Sequence, residues 1–162
     1  MNKHLKLVRE FHDAVAFPQA EHGKNEHLSD MDLVMRQALL MEDGGAVLKA
    51  IKKGDMAEIL AGLVNLAYCA LAALALRGSD VADHPVIWRH DGFVLSLIRI
   101  LCDKINNCTS GNIDDYSKVY FLCAHLSGNF INADFDKAFQ MIHDGKMSKS
   151  AKAPDLSECL FE

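Results

Sequence analysis

Residues 39–78, LLMEDGGAVLKAIKKGDMAEILAGLVNLAYCALAALALRG, decide the fold of this chain. The first part completes a long helix that we expect to run from about residue 30 to residue 53. Gly54 ends that helix, and Asp55 can cap the next helix at once. The second helix is expected to continue to about Leu76. Because the link between them is so short, the two helices should form an antiparallel hairpin.

Shorter helices are expected on both sides of the hairpin, with loops over residues 17–29 and 79–90. They are predicted over residues 4–14, 91–105, 114–127 and 133–144. Apolar residues at helical spacing should face the core in the last helix and in the helix over 91–105: Phe135, Ala138, Phe139 and Ile142, and Phe93, Val94, Leu97, Ile98 and Leu101. No stretch alternates as a strand. The chain is therefore predicted to be an all-α helical bundle built on the long antiparallel hairpin.

The totals are those of a globular protein. The 162 residues suggest one domain, which we place at residues 1–150, before a C-terminal tail over 151–162; the chain is expected to be flexible from Ser148 onward. Near its end, an apolar contact made by Leu160 and Phe161 is expected to hold the tail against the domain. The net charge of −5 argues against a partner that is a nucleic-acid polymer, since such binding needs a basic face.

Cysteine usage and the N-terminus predict a cytoplasmic protein. The five cysteines are odd in number and include no CxxC pair, so neither a disulfide framework nor a zinc knuckle is indicated. The N-terminal run MNKHLKLVREFHDAV lacks the apolar core of a signal peptide.

The most apolar segment, residues 59–76, has the length of a short membrane span. Its alanines, together with Gly62 and Asn65, make it weakly hydrophobic for that length. We therefore expect a central helix packed on all sides rather than a membrane segment. A second subunit could supply part of that packing, so a homo-oligomer, dimeric or larger, is expected.

Three segments resemble the MazG-like and phosphoribosyl-ATP pyrophosphohydrolase-like proteins. They are the N-terminal run VREFHDA at residues 8–14, the hairpin at 39–78 and the closing segment FDKAFQMIHDGKMSK at 135–149. The resemblance implies an all-α nucleoside-triphosphate pyrophosphohydrolase that uses Mg²⁺ or Mn²⁺. It also implies that residues 82–132 are an inserted helical pair.

Such chemistry needs carboxylates, because divalent cations neutralise the phosphates and magnesium prefers oxygen ligands. The family motif is EExxE on the first helix of the hairpin and ExxD on the second. Glu42 and Asp43 match the first two acids, whereas Ala46 stands at the third. Gly62 and Asn65 stand at the two acids of the second helix.

The candidate metal ligands implied by this alignment are Glu42, Asp43, Asn65 and Glu58. Glu58 lies one turn before the glycine that replaces an acid, so it could substitute in part, although a surface charge is the simpler interpretation. Asn65 is either a remnant of the metal site or an amide that ties two helices together.

The closing segment implies a phosphate-binding group. His143 and Lys149 match the family histidine and lysine, and Lys146 replaces the usual asparagine. Arg36 could add positive charge along the first long helix. For all four residues, a role in substrate binding stands beside the alternative of a solvated helix surface.

Three functions remain open from the sequence. The first is a nucleotide pyrophosphohydrolase, atypical or impaired because three metal-site acids are replaced. The second is a non-catalytic member of the same fold that binds a nucleotide or a protein partner. The third is a purely structural helical module.

Overall fold

The computed structural model describes residues 1–83, 91–149 and 152–161. Its six α-helices in these ranges are α1 (Lys3–Ala14), α2 (Asp30–Lys53), α3 (Met56–Arg77), α4 (Val94–Asn107), α5 (Ile113–Asn129) and α6 (Phe135–Met147). Short 3-10 turns follow α4 at Cys108–Ser110 and precede the C-terminus at Ser157–Cys159. Apart from one isolated bridge, these ranges contain no β-structure. The predicted all-α class is confirmed; the loop prediction for 84–90 lies outside the described residues.

Local signals set the ends of the α2–α3 hairpin. Ser29 caps α2 by accepting a hydrogen bond from the backbone N–H of Asp32. Gly54 follows in the left-handed region, with φ +74°, which ends α2. The Asp55 side chain then accepts from the N–H of Glu58 and starts α3. The predicted hairpin is therefore present, with the expected caps.

Helix α3 lies at the centre of the bundle, as its composition predicts. It packs against α1, α2, α5 and α6. By length and composition alone it could cross a membrane, but 83% of its apolar window is buried inside the fold. Gly62 brings α3 close to α2, because a Cβ there would lie 3.0 Å from Cγ2 of Val47.

Helices α4 and α5 belong to the core rather than to an appendage. Helix α5 packs along α3, and α4 covers α2 and α5. Leu97 and Leu101 of α4 are buried, as expected. Phe93 and Val94 were expected to face the core, which is wrong: their side chains are 70% and 40% exposed. The helix begins only at Val94, so Phe93 lies before its first turn.

The C-terminal segment docks on the bundle. Leu156 and Cys159 are each 1% exposed, and the N–H of Asp134 donates to the Cys159 carbonyl at 2.8 Å. Of the two residues expected to make the apolar contact, Leu160 packs against the core, whereas Phe161 is 57% exposed. Its N–H donates to the backbone carbonyl of Asn132, so the backbone is fixed while the ring faces solvent.

A buried histidine holds the start of α1. His4 Nδ1 lies 2.6 Å from the Tyr120 hydroxyl, and its Nε2 lies 2.9 Å from an Asp136 carboxylate oxygen. Burial lowers the pKa of His4, and the neighbouring Asp136 opposes that shift. The contact joins α1 to both α5 and α6.

Candidate ligand-binding pocket

A cavity of about 270 Å³ opens between α1, α2, α3 and α6. Its lining combines aromatic, cationic and polar side chains: Phe11, His12, Phe17, Arg36, Leu39, Asp43, Asn65, Tyr68, Cys69 and Lys146. Two cations and one carboxylate belong to this set. The cavity is therefore positively charged overall and has aromatic walls.

The hairpin supplies two walls through helical periodicity. On α2, Arg36 and Asp43 are seven residues apart, which places them on one face two turns from each other. On α3, Asn65 and Tyr68 are three residues apart and share a face in the same way. Because Gly62 lets the two helices approach closely, these faces meet at one cavity.

Each cation of the pocket lies beside an aromatic ring. The Arg36 side chain is 6% exposed, and its guanidinium carbon lies 5.7 Å from the centre of the Phe17 ring. The Lys146 ammonium lies 4.9 Å from the centre of the Tyr68 ring and 5.8 Å from that of Phe11. All three distances are within the range of cation–π attraction.

Asp43 is the carboxylate of the pocket, and its charge is disfavoured there. Burial raises the pKa of Asp43, while a hydrogen bond from Cys69 and the charge of Lys146 oppose the shift. Burial and the neighbouring Asp43 raise the pKa of the Cys69 thiol to about 12. Cys69 is therefore a protonated hydrogen-bond donor rather than a nucleophile.

His12 places a neutral imidazole at the wall formed by α1. Burial lowers the pKa of His12, and the nearby Gln19 opposes the shift while Arg36 adds to it. The Nδ1 atom is buried and has no hydrogen-bond partner within 3.5 Å among residues 1–83, 91–149 and 152–161.

Tyr68 connects the pocket to two residues behind its wall, His143 and Glu10. Its hydroxyl lies 3.2 Å from Nδ1 of the buried His143, whose Nε2 lies 3.6 Å from a carboxylate oxygen of Glu10. Burial raises the pKa of Tyr68 well above its usual value, so the phenol stays protonated. His143 thus orients Tyr68 from behind and does not line the cavity.

Four of the eight predicted site residues share the pocket: Arg36, Asp43, Asn65 and Lys146. Lys149 lies exposed beyond the end of α6. Glu42 is exposed on α2, and it is not among the residues that line the cavity. Glu58 forms a 2.7 Å ion pair with Lys53 near the hairpin turn.

The pocket's donors do not fit a divalent cation. Asp43 offers one carboxylate and Asn65 one amide oxygen, beside two cations, whereas magnesium sites of nucleotide enzymes gather carboxylates. No group of three or more His, Cys, Asp or Glu residues that could hold a metal occurs in the described part of the chain. Gly62, where the family motif has an acid, is buried against Val47.

The sequence reasoning missed most of the aromatic and neutral walls: Phe11, His12, Phe17, Leu39, Tyr68 and Cys69. Helical spacing could have found part of this set. Tyr68 and Cys69 follow Asn65 by three and four residues, and so they share its face. Phe17 lies in a loop, and no periodic signal places it.

The chain folds as a helical bundle with a cavity between α1, α2, α3 and α6 that is lined by cationic and aromatic side chains. No family model matches the chain, and neither the curated proteins nor the solved structures contain a match to it. The resemblance to MazG-like proteins therefore stays a prediction.

Proposed function

We propose that the chain binds a small organic anion with an aromatic ring, of the nucleotide class, in the pocket between α1, α2, α3 and α6. The observation that carries the proposal is the pairing of cations with aromatic rings around one cavity. Arg36 and Lys146 attract phosphate groups, and the rings beside them provide flat apolar surfaces for a base.

The size and surroundings of the pocket support a ligand of this class. Its volume of about 270 Å³ is near the lower end of small-molecule sites, which begin at roughly 300 Å³. A second cavity of about 160 Å³ shares Asn65 and Lys146 with the first and adds Lys152. A nucleotide whose base lies in the first cavity could therefore extend its phosphates into the second cavity, toward Lys152.

The resemblance to MazG-like proteins supports the same ligand class and suggests that catalysis is impaired. A single pocket carboxylate, Asp43, supplies too little negative charge for a cluster of divalent ions. A working pyrophosphohydrolase is the second candidate, favoured by the presence of both Asp43 and Asn65 at one cavity. It would need further acids, such as Asp91 or Asp114, or acids from another subunit, together with Mg²⁺ or Mn²⁺.

Titration calorimetry tests the binding. Nucleoside mono- and triphosphates are titrated into the full chain, first without any divalent cation. We expect saturable binding that Arg36→Gln and Lys146→Gln each weaken by roughly tenfold, as for the loss of a charged hydrogen bond. Lys49→Gln, an exposed lysine on α2, is the matched control and should bind as the native chain does. Equal loss in the control, or no binding at all, would refute the proposal.

Pyrophosphate release separates the two candidates. The chain is incubated with a panel of triphosphates and Mg²⁺ or Mn²⁺, with Asp43→Ala as the control. Binding without turnover supports a non-catalytic nucleotide-binding protein. Turnover that Asp43→Ala abolishes would establish the pyrophosphohydrolase instead.

A further inference from the structure

An exposed stripe of apolar and small residues runs along α2. Its members recur at alternating intervals of three and four residues: Met31, Val34, Ala38, Met41, Gly45 and Leu48. Met31, Val34 and Met41 are 73%, 64% and 63% exposed, which is unusual for side chains of this size. Ala38 and Gly45 are also exposed, and Leu48 is half-buried. The stripe is therefore a helix face that no element of the described part of the chain covers.

The spacing of the stripe is that of a helix–helix seam. Intervals of three and four residues keep side chains along one line that a second helix can follow. From Met31 to Leu48 the stripe is about 26 Å long at 1.5 Å per residue. It ends on a groove of about 200 Å³ between α2 and α4, which includes Gly45, Leu48 and Leu101 in its lining.

The two halves of the stripe have complementary shapes. Bulky side chains dominate the N-terminal half, where Met31, Val34 and the neighbouring Met35 protrude. In the C-terminal half, no heavy atom of residues 1–83, 91–149 and 152–161 lies within 4 Å of where a Cβ of Gly45 would be, so the groove is open there. The same stripe turned end for end would place protruding residues over that groove.

The two ends of α2 also have opposite charges. Asp30 and Asp32 lie in the first turn, whereas Lys49 and Lys52 are in the last two turns. A second α2 running in the opposite direction would bring acids next to lysines at both ends. A parallel arrangement would place like charges together.

We propose that α2 of one copy packs antiparallel on α2 of a second copy of this chain, related by a twofold axis near residues 38–41. In this register Val34 faces Gly45 of the second copy, and the acidic first turn of each α2 lies level with the last two turns of the other, which include Lys49 and Lys52. The contact is isologous, so each pairing occurs twice.

The pocket remains free in this dimer. Arg36 and Asp43 each follow a stripe residue, Val34 and Met41, by two positions, which is about 200° around the helix. The stripe and the pocket therefore use opposite sides of α2, and dimerisation does not depend on the proposed ligand.

Sedimentation velocity of the full chain over a concentration series tests the dimer. We expect a reversible monomer–dimer equilibrium that Gly45→Lys shifts toward monomer, with a dissociation constant roughly tenfold higher or more. Gly128→Lys is the matched control, because Gly128 is also an exposed helical glycine with open space at its Cβ position. A monomer at all concentrations, or a dimer that Gly45→Lys leaves unchanged, would overturn the proposal.

Charge exchange tests the antiparallel direction. Asp30→Lys alone and Lys49→Asp alone should each weaken the dimer, and the double exchange should restore it. Asp114→Lys, which reverses an exposed acid in the first turn of α5, is the control for charge reversal at the start of a helix and should leave the dimer unchanged. If the double variant is no tighter than the single variants, the proposed antiparallel direction is wrong.

Discussion

The Lys146 ammonium on α6 lies 4.9 Å from the centre of the Tyr68 ring on α3. The Tyr68 hydroxyl in turn lies 3.2 Å from Nδ1 of His143, one turn before that lysine. The two contacts join the closing helix to the hairpin at the pocket. They fix both a cation and an aromatic wall before any ligand arrives.

Tyr68→Phe should separate two roles of Tyr68: the hydroxyl contact with His143 that orients the side chain, and the contact of its ring with Lys146 and a ligand. The variant keeps the ring under Lys146 and removes the hydroxyl that meets His143. We expect ligand affinity to fall only about two- to fivefold, because a neutral hydrogen bond contributes about 1 kcal/mol or less here. Tyr68→Leu removes the ring as well and should weaken binding by a further factor of about ten. Equal affinities of the two variants in calorimetry would contradict a stacking role for Tyr68.

Asp43→Asn should stabilise the protein and tighten anion binding. Because burial raises the pKa of Asp43 above its unfolded value, ionisation costs free energy in the folded state. The charged group therefore destabilises the fold as pH rises through the raised pKa. The asparagine variant should unfold at a higher temperature at pH 7.

The pH dependence is the control for the Asp43 prediction. The gain of Asp43→Asn should shrink as pH falls toward the unfolded carboxyl pKa, where the native side chain is also neutral. Thermal melts at pH 7 and pH 4.5 measure the difference. A gain that is the same at both values would show that the charge of Asp43 is not its source.

Buried histidines should make the fold less stable in mild acid. Burial lowers the pKa of His4 and of His12 below 6.5, so the unfolded chain takes up protons more readily. Their contribution to stability is present above the unfolded pKa and is lost as pH falls through about 6.5. The melting temperature should drop between pH 7 and pH 5.5, and less so in a variant with both changed to Gln. Exposed His27→Gln is the matched control.

Gly62→Ala should destabilise the hairpin although alanine favours helix. A Cβ at Gly62 would lie 3.0 Å from Cγ2 and 3.3 Å from Cα of Val47. Overpacking of this kind costs about 1–3 kcal/mol, against about 1 kcal/mol gained from helix propensity. Denaturant melts should show a net loss. Gly128→Ala, at an open helical position, should show none.

The C-terminal segment offers a contrast between a buried and an exposed side chain. Leu156 is 1% exposed and Phe161 is 57% exposed. Leu156→Ala should cost about 2–5 kcal/mol, as for other buried leucines, whereas Phe161→Ala should cost little. Chemical denaturation of both variants measures this. If Leu156→Ala is silent, the segment does not dock as described.

The ends of the hairpin helices were predictable because each end depends on the chemistry of one capping residue. Ser29, Gly54 and Asp55 have cap functions that depend on neighbours within four residues, so the sequence locates the helix ends. The burial of Phe93 could not be judged in this way. An apolar residue at helical spacing faces the core only if the helix extends to it and another element covers it, and neither is encoded locally.

The pocket was predictable only in part, because its lining comes from segments that are far apart in the sequence. Asp43 and Asn65 were found because the resemblance aligned them with a known motif, and Lys146 because it lies in the closing segment. Phe17 reaches the pocket from a loop, and the loop is held by backbone contacts to the end of α3, such as Gly23 N–H to the Gly78 carbonyl. Only the folded chain brings these distant segments together.

Backbone NMR shifts during a nucleotide titration test the central claim most directly. The account predicts saturable shifts that cluster at Arg36, Asp43, Asn65, Tyr68 and Lys146, with Lys149 and the α2 stripe unaffected. Shifts that are absent at these residues, or that cluster on another surface, would contradict it.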